Sequence, residues 1–134
     1  MLLNMKKEDI QMRILFFTIA LAAAVLSVQA ANITPVSNAL KAGNADLLKE
    51  MMATEVDVVA PGVSKKGNVS EVTAILKSFF QANKPAAFTV AHHADKNDSG
   101  FFVGKLNTSN GDFRVNITYT TKDGKILITI IRIE

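Results

Sequence analysis

The stretch from Phe101 to Glu134 leaves the rest of the chain few ways to fold. It reads as three strands in succession, Phe101–Leu106, Phe113–Thr120 and Ile126–Ile133, joined at Asn110-Gly111 and Asp123-Gly124. Asn-Gly and Asp-Gly between apolar runs are strong hairpin signals, because a type I′ turn needs positive φ at both central residues. A two-residue turn at Asp123-Gly124 sets Tyr119 opposite Ile128, Ile117 opposite Ile130 and Val115 opposite Arg132. One face then carries Phe113, Val115, Ile117, Tyr119, Ile126, Ile128 and Ile130, and this is the expected core face. The other carries Arg114, Asn116, Thr118 and Thr120 against Leu127, Thr129, Ile131 and Ile133. Side chains alternate along a strand, so a slip of one residue exchanges the two faces. A second two-residue turn at Asn110-Gly111 adds Leu106, Gly104 and Phe102 to the core face and sets Gly104 opposite Ile117.

The beginning of the chain is of a different kind. Arg13 precedes a run from Ile14 to Val28 that is almost wholly apolar, and Val28-Gln29-Ala30 follows with small residues at the two key positions. This is the pattern of a secretory signal peptide over residues 1–30, cut after Ala30, with residues 31–134 forming one α+β domain. The run is short for a membrane span. The expected location is therefore exported, periplasmic or secreted. Residues 31–134 hold 12 Lys and Arg against 10 Asp and Glu, without a sizeable charge block. Neither nucleic acid nor, after cleavage, a membrane is indicated as a partner. There is no cysteine, which excludes disulfides, thiol catalysis and zinc–thiolate sites. Stability must come from the core alone, and the 49% hydrophobic residues of the full chain, leader included, make that feasible.

Ahead of the hairpins the spacing predicts three helices. Ile33, Val36 and Leu40 recur at helical intervals until Gly43. Asn44 suits the cap of a second short helix, with Leu47, Leu48, Met51 and Met52 as its buried stripe. Val56–Val59 is a β-rich run ended by Pro61-Gly62, and Val63–Gly67 reads as a loop. Asn68 and Glu71 fit a capping pair for the third helix, whose Val72, Ile75, Leu76, Phe79 and Phe80 form one apolar face. Asn83-Lys84-Pro85 stops it, and Phe88–His93 is the next strand. Three helices gathered on a bent antiparallel sheet that ends in a four-strand meander make an α+β fold.

This order of elements resembles the nuclear transport factor 2-like superfamily, a cystatin-like α+β cone. More narrowly it resembles a family of small exported Gram-negative bacterial proteins of unknown function. The matching stretches are Ala39–Ala45, Ile75–Phe80, Gly104-Lys105-Leu106 with Gly111–Val115, and Ile131–Glu134. The resemblance implies a cone with an interior that some relatives use for binding or dimerisation and others for isomerase chemistry. The narrow family offers no catalytic residues to carry over.

Four residues are candidates for a ligand site: His92, Tyr119, Arg132 and Asp57. With Phe88 and Val90 facing the core, His92 shares their side and His93 faces out. Arg132 ends a core-face row, where it needs a paired acid such as Asp57 or Glu134, or an anionic ligand. Tyr119 is the one tyrosine and lies near a hairpin tip. Leu127, Ile131, Ile133 and Thr118 on the outer face are the candidate interface for a homodimer. No cofactor or metal is called for by any spacing in the chain. The function that follows is a non-catalytic ligand- or protein-binding or dimerisation module. The alternative is a small pocket enzyme of isomerase or hydrolase type in the cone cavity.

Overall fold

Helix α1 (Thr34–Ala42) carries Pro35 in its first turn and turns Val36, Ala39 and Leu40 inward. Gly43 ends it in the left-handed region, φ 63°, and its N–H and that of Asn44 close on the carbonyls of Leu40 and Ala39. The Asn44 side chain then accepts from the Leu47 N–H and caps α2 (Ala45–Lys49). Leu48 and Met52 of the expected stripe are buried, whereas Leu47 is exposed. In this computed structural model residues 30–134 are described; the remainder of the proposed leader lies outside them. Strand β1 (Met52–Ala60) and strand β2 (Val63–Asn68) form a hairpin across Pro61-Gly62, with Gly62 at φ 80°. The segment expected as a loop is thus a strand, one whose only buried residue is Gly67. It presents Lys65 and Lys66 at the sheet edge, and lysines on an edge strand discourage pairing with a foreign strand.

Helix α3 (Val69–Ala82) follows directly. Asn68 accepts from the Glu71 N–H, and the Glu71 carboxylate pairs with Lys65. The Lys65 ammonium holds the Glu71 carboxyl below its usual range. Val72, Leu76, Phe79 and Phe80 are buried against the sheet, as the spacing predicts. Strands β3 (Pro85–Lys96), β4 (Ser99–Thr108), β5 (Gly111–Lys122) and β6 (Lys125–Ile133) complete the meander. The sheet has six strands in the order β2-β1-β6-β5-β4-β3. Every neighbouring pair is antiparallel except β1 and β6, which run parallel. The expected arrangement is corrected in two respects: there is an additional strand β2, and this one parallel pair lets β1 join the end of the meander.

Asp123 and Gly124 both have positive φ, 54° and 76°, and Lys122 pairs with Lys125, so this turn has the expected form. The other hairpin turns one residue earlier. Thr108 pairs with Gly111, and the Asn110 amide is drawn to the Ala82 carbonyl at the end of α3. Gly104 therefore lies opposite Val115 instead of Ile117. A shift of two partners preserves the faces, and Phe102 and Leu106 remain in the core.

Bulges in β6 and β3 do change the faces on which the candidate residues lie. Tyr119 pairs with Ile128, but Thr118 pairs with Ile130, so Thr129 is an extra residue in β6. Its hydroxyl donates to the Thr118 carbonyl at the break. One extra residue reverses the alternation beyond it. Ile131 and Ile133 consequently point into the core at 0% and 1% exposure, and Arg132 points out. In β3, Val90 pairs with Gly104 and His92 with Val103, leaving Ala91 as the extra residue. His93, opposite the buried Phe102, now lies on the core side, and His92 is exposed.

Candidate functional site

The core side of the sheet near the β3–β4 turn collects three polar side chains. Tyr119 is fully buried, and its hydroxyl donates to Asp95 Oδ1. His93 Nε2 lies 2.8 Å from the Tyr119 hydroxyl and 3.1 Å from Asp95 Oδ2. The side chains of Asp95 and His93 are 13% and 23% exposed. The backbone N–H of Ala31 donates to Asp95 Oδ2 at 3.1 Å, so both carboxylate oxygens are engaged.

Strand alternation and pairing explain this gathering. His93 and Asp95 are two residues apart on β3 and share a face. Gly100 of β4 lies opposite Asp95 on one side and Tyr119 on the other. A Cβ on Gly100 would come within 2.6 Å of the Tyr119 hydroxyl and 2.8 Å of the Ala94 carbonyl. Its absence lets the tyrosine reach across β4 to the carboxylate. Burial opposes the Asp95 charge, but hydrogen bonds from Tyr119 and Ala31, together with the charge and hydrogen bond of His93, hold its carboxyl below the ordinary value. Burial, then the hydrogen bond to Asp95 and its charge, push the Tyr119 phenol well above its ordinary value. The phenol is thus a fixed donor and the carboxylate a fixed acceptor.

The other three candidates lie elsewhere. His92 faces outward with its ring 5.6 Å from that of Phe101, because the Ala91 bulge reverses the predicted orientation. Arg132 is exposed and pairs with Glu134 at 3.1 Å, one of the two acids expected for it, but on the outer face. Asp57 is half-buried on β1 and lines a shallow concavity of about 290 Å³ with Lys66, Ile130 and Arg132. Of the proposed interface, Ile131 and Ile133 belong to the core, while Leu127 and Thr118 remain half-buried outside it. The bulges account for His92, Arg132, Ile131 and Ile133.

The outer face also holds features that the sequence pattern did not single out. A groove of about 640 Å³ runs over β3, β4 and β5. Phe101 and Val103 supply its apolar floor, and His92, Lys105, Asp112 and Arg114 stand around it. Beside it Arg114, Asn116, Arg132 and Glu134 line a depression of about 170 Å³, in which Asn116 Oδ1 is buried without a hydrogen-bond partner among the described residues. A fourth concavity lies at the end of α1, between Gly43, Asp46, Lys77 and Phe80. None of these four is lined by Tyr119, Asp95 or His93. Among the described residues no three His, Asp or Glu side chains gather as a metal site would require.

A family model described as a domain of unknown function, DUF4783, matches residues 33–134. The chain belongs to the DUF4783 family. A crystal structure of a DUF4783 family protein from Bacteroides ovatus is 33% identical, with a TM-score of 0.72 over 78% of this chain and 96% of that one. Another, from Bacteroides fragilis, is 35% identical, with a TM-score of 0.69 over 75% of this chain and 94% of that one. The DUF4783 domain also matches an uncharacterised bacterial protein with a cystatin-like fold from Silicibacter pomeroyi at 16% identity. That match has a TM-score of 0.55 over 75% of this chain and 70% of that one, a likeness of fold alone. Nothing among the curated proteins matches the chain. The α+β fold and the family of unknown function are those that the sequence resemblance implies.

Proposed function

We propose that this DUF4783 domain is an exported, non-catalytic binding module whose ligand surface is the outer face of β3, β4 and β5. The groove lined by Phe101, Val103, His92, Lys105, Asp112 and Arg114 carries this reading. At about 640 Å³ it has the size of a small-molecule site. An apolar floor rimmed by Lys105 and Arg114, with the one carboxylate, Asp112, already held by the Asn107 amide, suits a ligand with an apolar body and an anionic head. The space beneath the helices is occupied instead: Tyr119, Phe102, Leu40, Leu48 and Leu76 are fully buried there. A pocket enzyme of isomerase or hydrolase type needs an open chamber beside its acid and base, and the concavities described above lie away from Tyr119 and Asp95. The apolar run ahead of Ala30 supports export.

Sodium dodecanoate is a direct probe of this surface. Titrated into isotopically labelled protein, it is expected to shift the amide resonances of Phe101–Lys105 and Phe113–Arg114. Phe101→Ser should weaken the response without unfolding the domain. Resonances that stay in place at millimolar dodecanoate would overturn the reading.

A further inference from the structure

We propose that export cuts the Ala30–Ala31 bond and that the amino group released on Ala31 seats on Asp95 as its counter-ion. The inference rests on the export reading above and adds a processing site and a place for its product. Hydrolysis consumes one water: the C–N bond breaks, the leader leaves with an Ala30 carboxylate, and Ala31 keeps an ammonium group. The catalyst is a peptidase of the export route.

The observations meet at one atom. Ala31 N is already 3.1 Å from Asp95 Oδ2. Ala30 is exposed, whereas Ala31 is half-buried and packed against the core. The compact unit that contains the sheet begins at Ala31. Asp95 is a carboxylate at 13% exposure, and the groups that touch it are His93 of β3, Tyr119 of β5 and the Ala31 N–H. Gly100, across from it on β4, brings no charge. A phenol and an amide can donate hydrogen bonds but carry no positive charge, and an imidazole is cationic only when protonated. A free N-terminus at Ala31 supplies a full positive charge and three donors at the position of the present single donor. Charge-assisted hydrogen bonds at such partly buried sites are stronger than neutral ones. Uncut chain lacks this ion pair, so the leader bond and the strength of the clasp are linked.

The test begins with the full chain expressed in a Gram-negative host. Protein recovered from the periplasm is expected to begin at Ala31 by N-terminal sequencing and intact mass. The acylation rate of its α-amino group near neutral pH is then compared with that of Asp95→Asn. An ammonium held by Asp95 should react roughly tenfold more slowly than in the variant, the effect of one unit of pKa. High salt should narrow the difference. Chemical acetylation of the wild-type N-terminus provides a second reading that needs no substitution: it should lower the thermal midpoint while the folded spectrum persists. A mature N-terminus at Ala31 with equal reactivity in the two proteins and no effect of acetylation overturns the clasp and leaves export standing. Exported protein cut at another bond overturns the processing site. Uncut protein confined to the cytoplasm overturns the export reading as well.

Discussion

Asp95 keeps its charge in a place that water barely reaches. It does so because Tyr119 donates to one oxygen and Ala31 N–H to the other, with His93 alongside. Replacing Tyr119 with Phe keeps the ring and removes one donor. The expected cost is about 1–3 kcal/mol, since a partly buried acceptor loses its partner; equilibrium denaturation measures it. The pH dependence has a definite sign. The folded-state carboxyl of Asp95 lies below its ordinary value of 3.8. Its contribution to stability is therefore complete above that ordinary value and is lost as pH falls through the lowered one. Asp95→Asn should flatten this acid limb, so that wild type and variant converge in thermal midpoint at low pH and separate near neutrality. Little of this cluster was legible in the sequence. Tyr119 is a candidate from its position, but strict alternation puts His93 on the wrong face, because it does not foresee the bulge at Ala91. Nothing local marks Asp95 as a partner of a residue 24 positions away.

At the scale of the element, the turns were legible and the bulges were not. Asp123-Gly124 carries its backbone geometry in its residue types, and so does the Asn44 cap. A bulge leaves no comparable signature: Thr129 and Ala91 are ordinary strand residues, and alternation assumes that neither is extra. Strand β2 escaped for another reason, because an exposed edge strand with two lysines has no apolar stripe to reveal it. The corrected phase of β6 gives a sharp contrast. Ile131→Lys places a charge in a fully buried site and should unfold the domain. Ile130→Lys, one residue earlier and half-buried on the outside, should shift the thermal midpoint little. Helix α3 offers a second check. Phe79 is buried with its ring 5.0 Å from that of Phe113 and 5.7 Å from that of Phe80. Phe79→Ala should cost about 3–5 kcal/mol in denaturant unfolding, as removal of a deep aromatic does.

For the whole molecule, the homodimer expected from the sequence through the outer sheet face is open to a direct test. The core bound by β6 takes Ile131 and Ile133 away from that face and leaves Leu127, Thr118 and Ile130 as its half-buried aliphatic and hydroxyl part. If this surface joins two copies, sedimentation velocity at micromolar concentration should show a dimer, and Leu127→Lys should give a folded monomer. A wild-type monomer under those conditions would overturn the dimer.

The far side of the sheet ends in β3, a long edge strand of 12 residues, none of them buried. Such a strand is a template on which another polypeptide in extended form could grow, the first step towards a fibril. Yet its pairing with β4 slips at Ala86 and again at Ala91, and it begins with a proline, which has no amide hydrogen to offer. A straight incoming segment would find its hydrogen bonds out of step after a few residues. The kink that turns His93 towards Tyr119 therefore also gives the chain a defence against its own copies, which matters most while it is newly made, crowded and not yet fully folded.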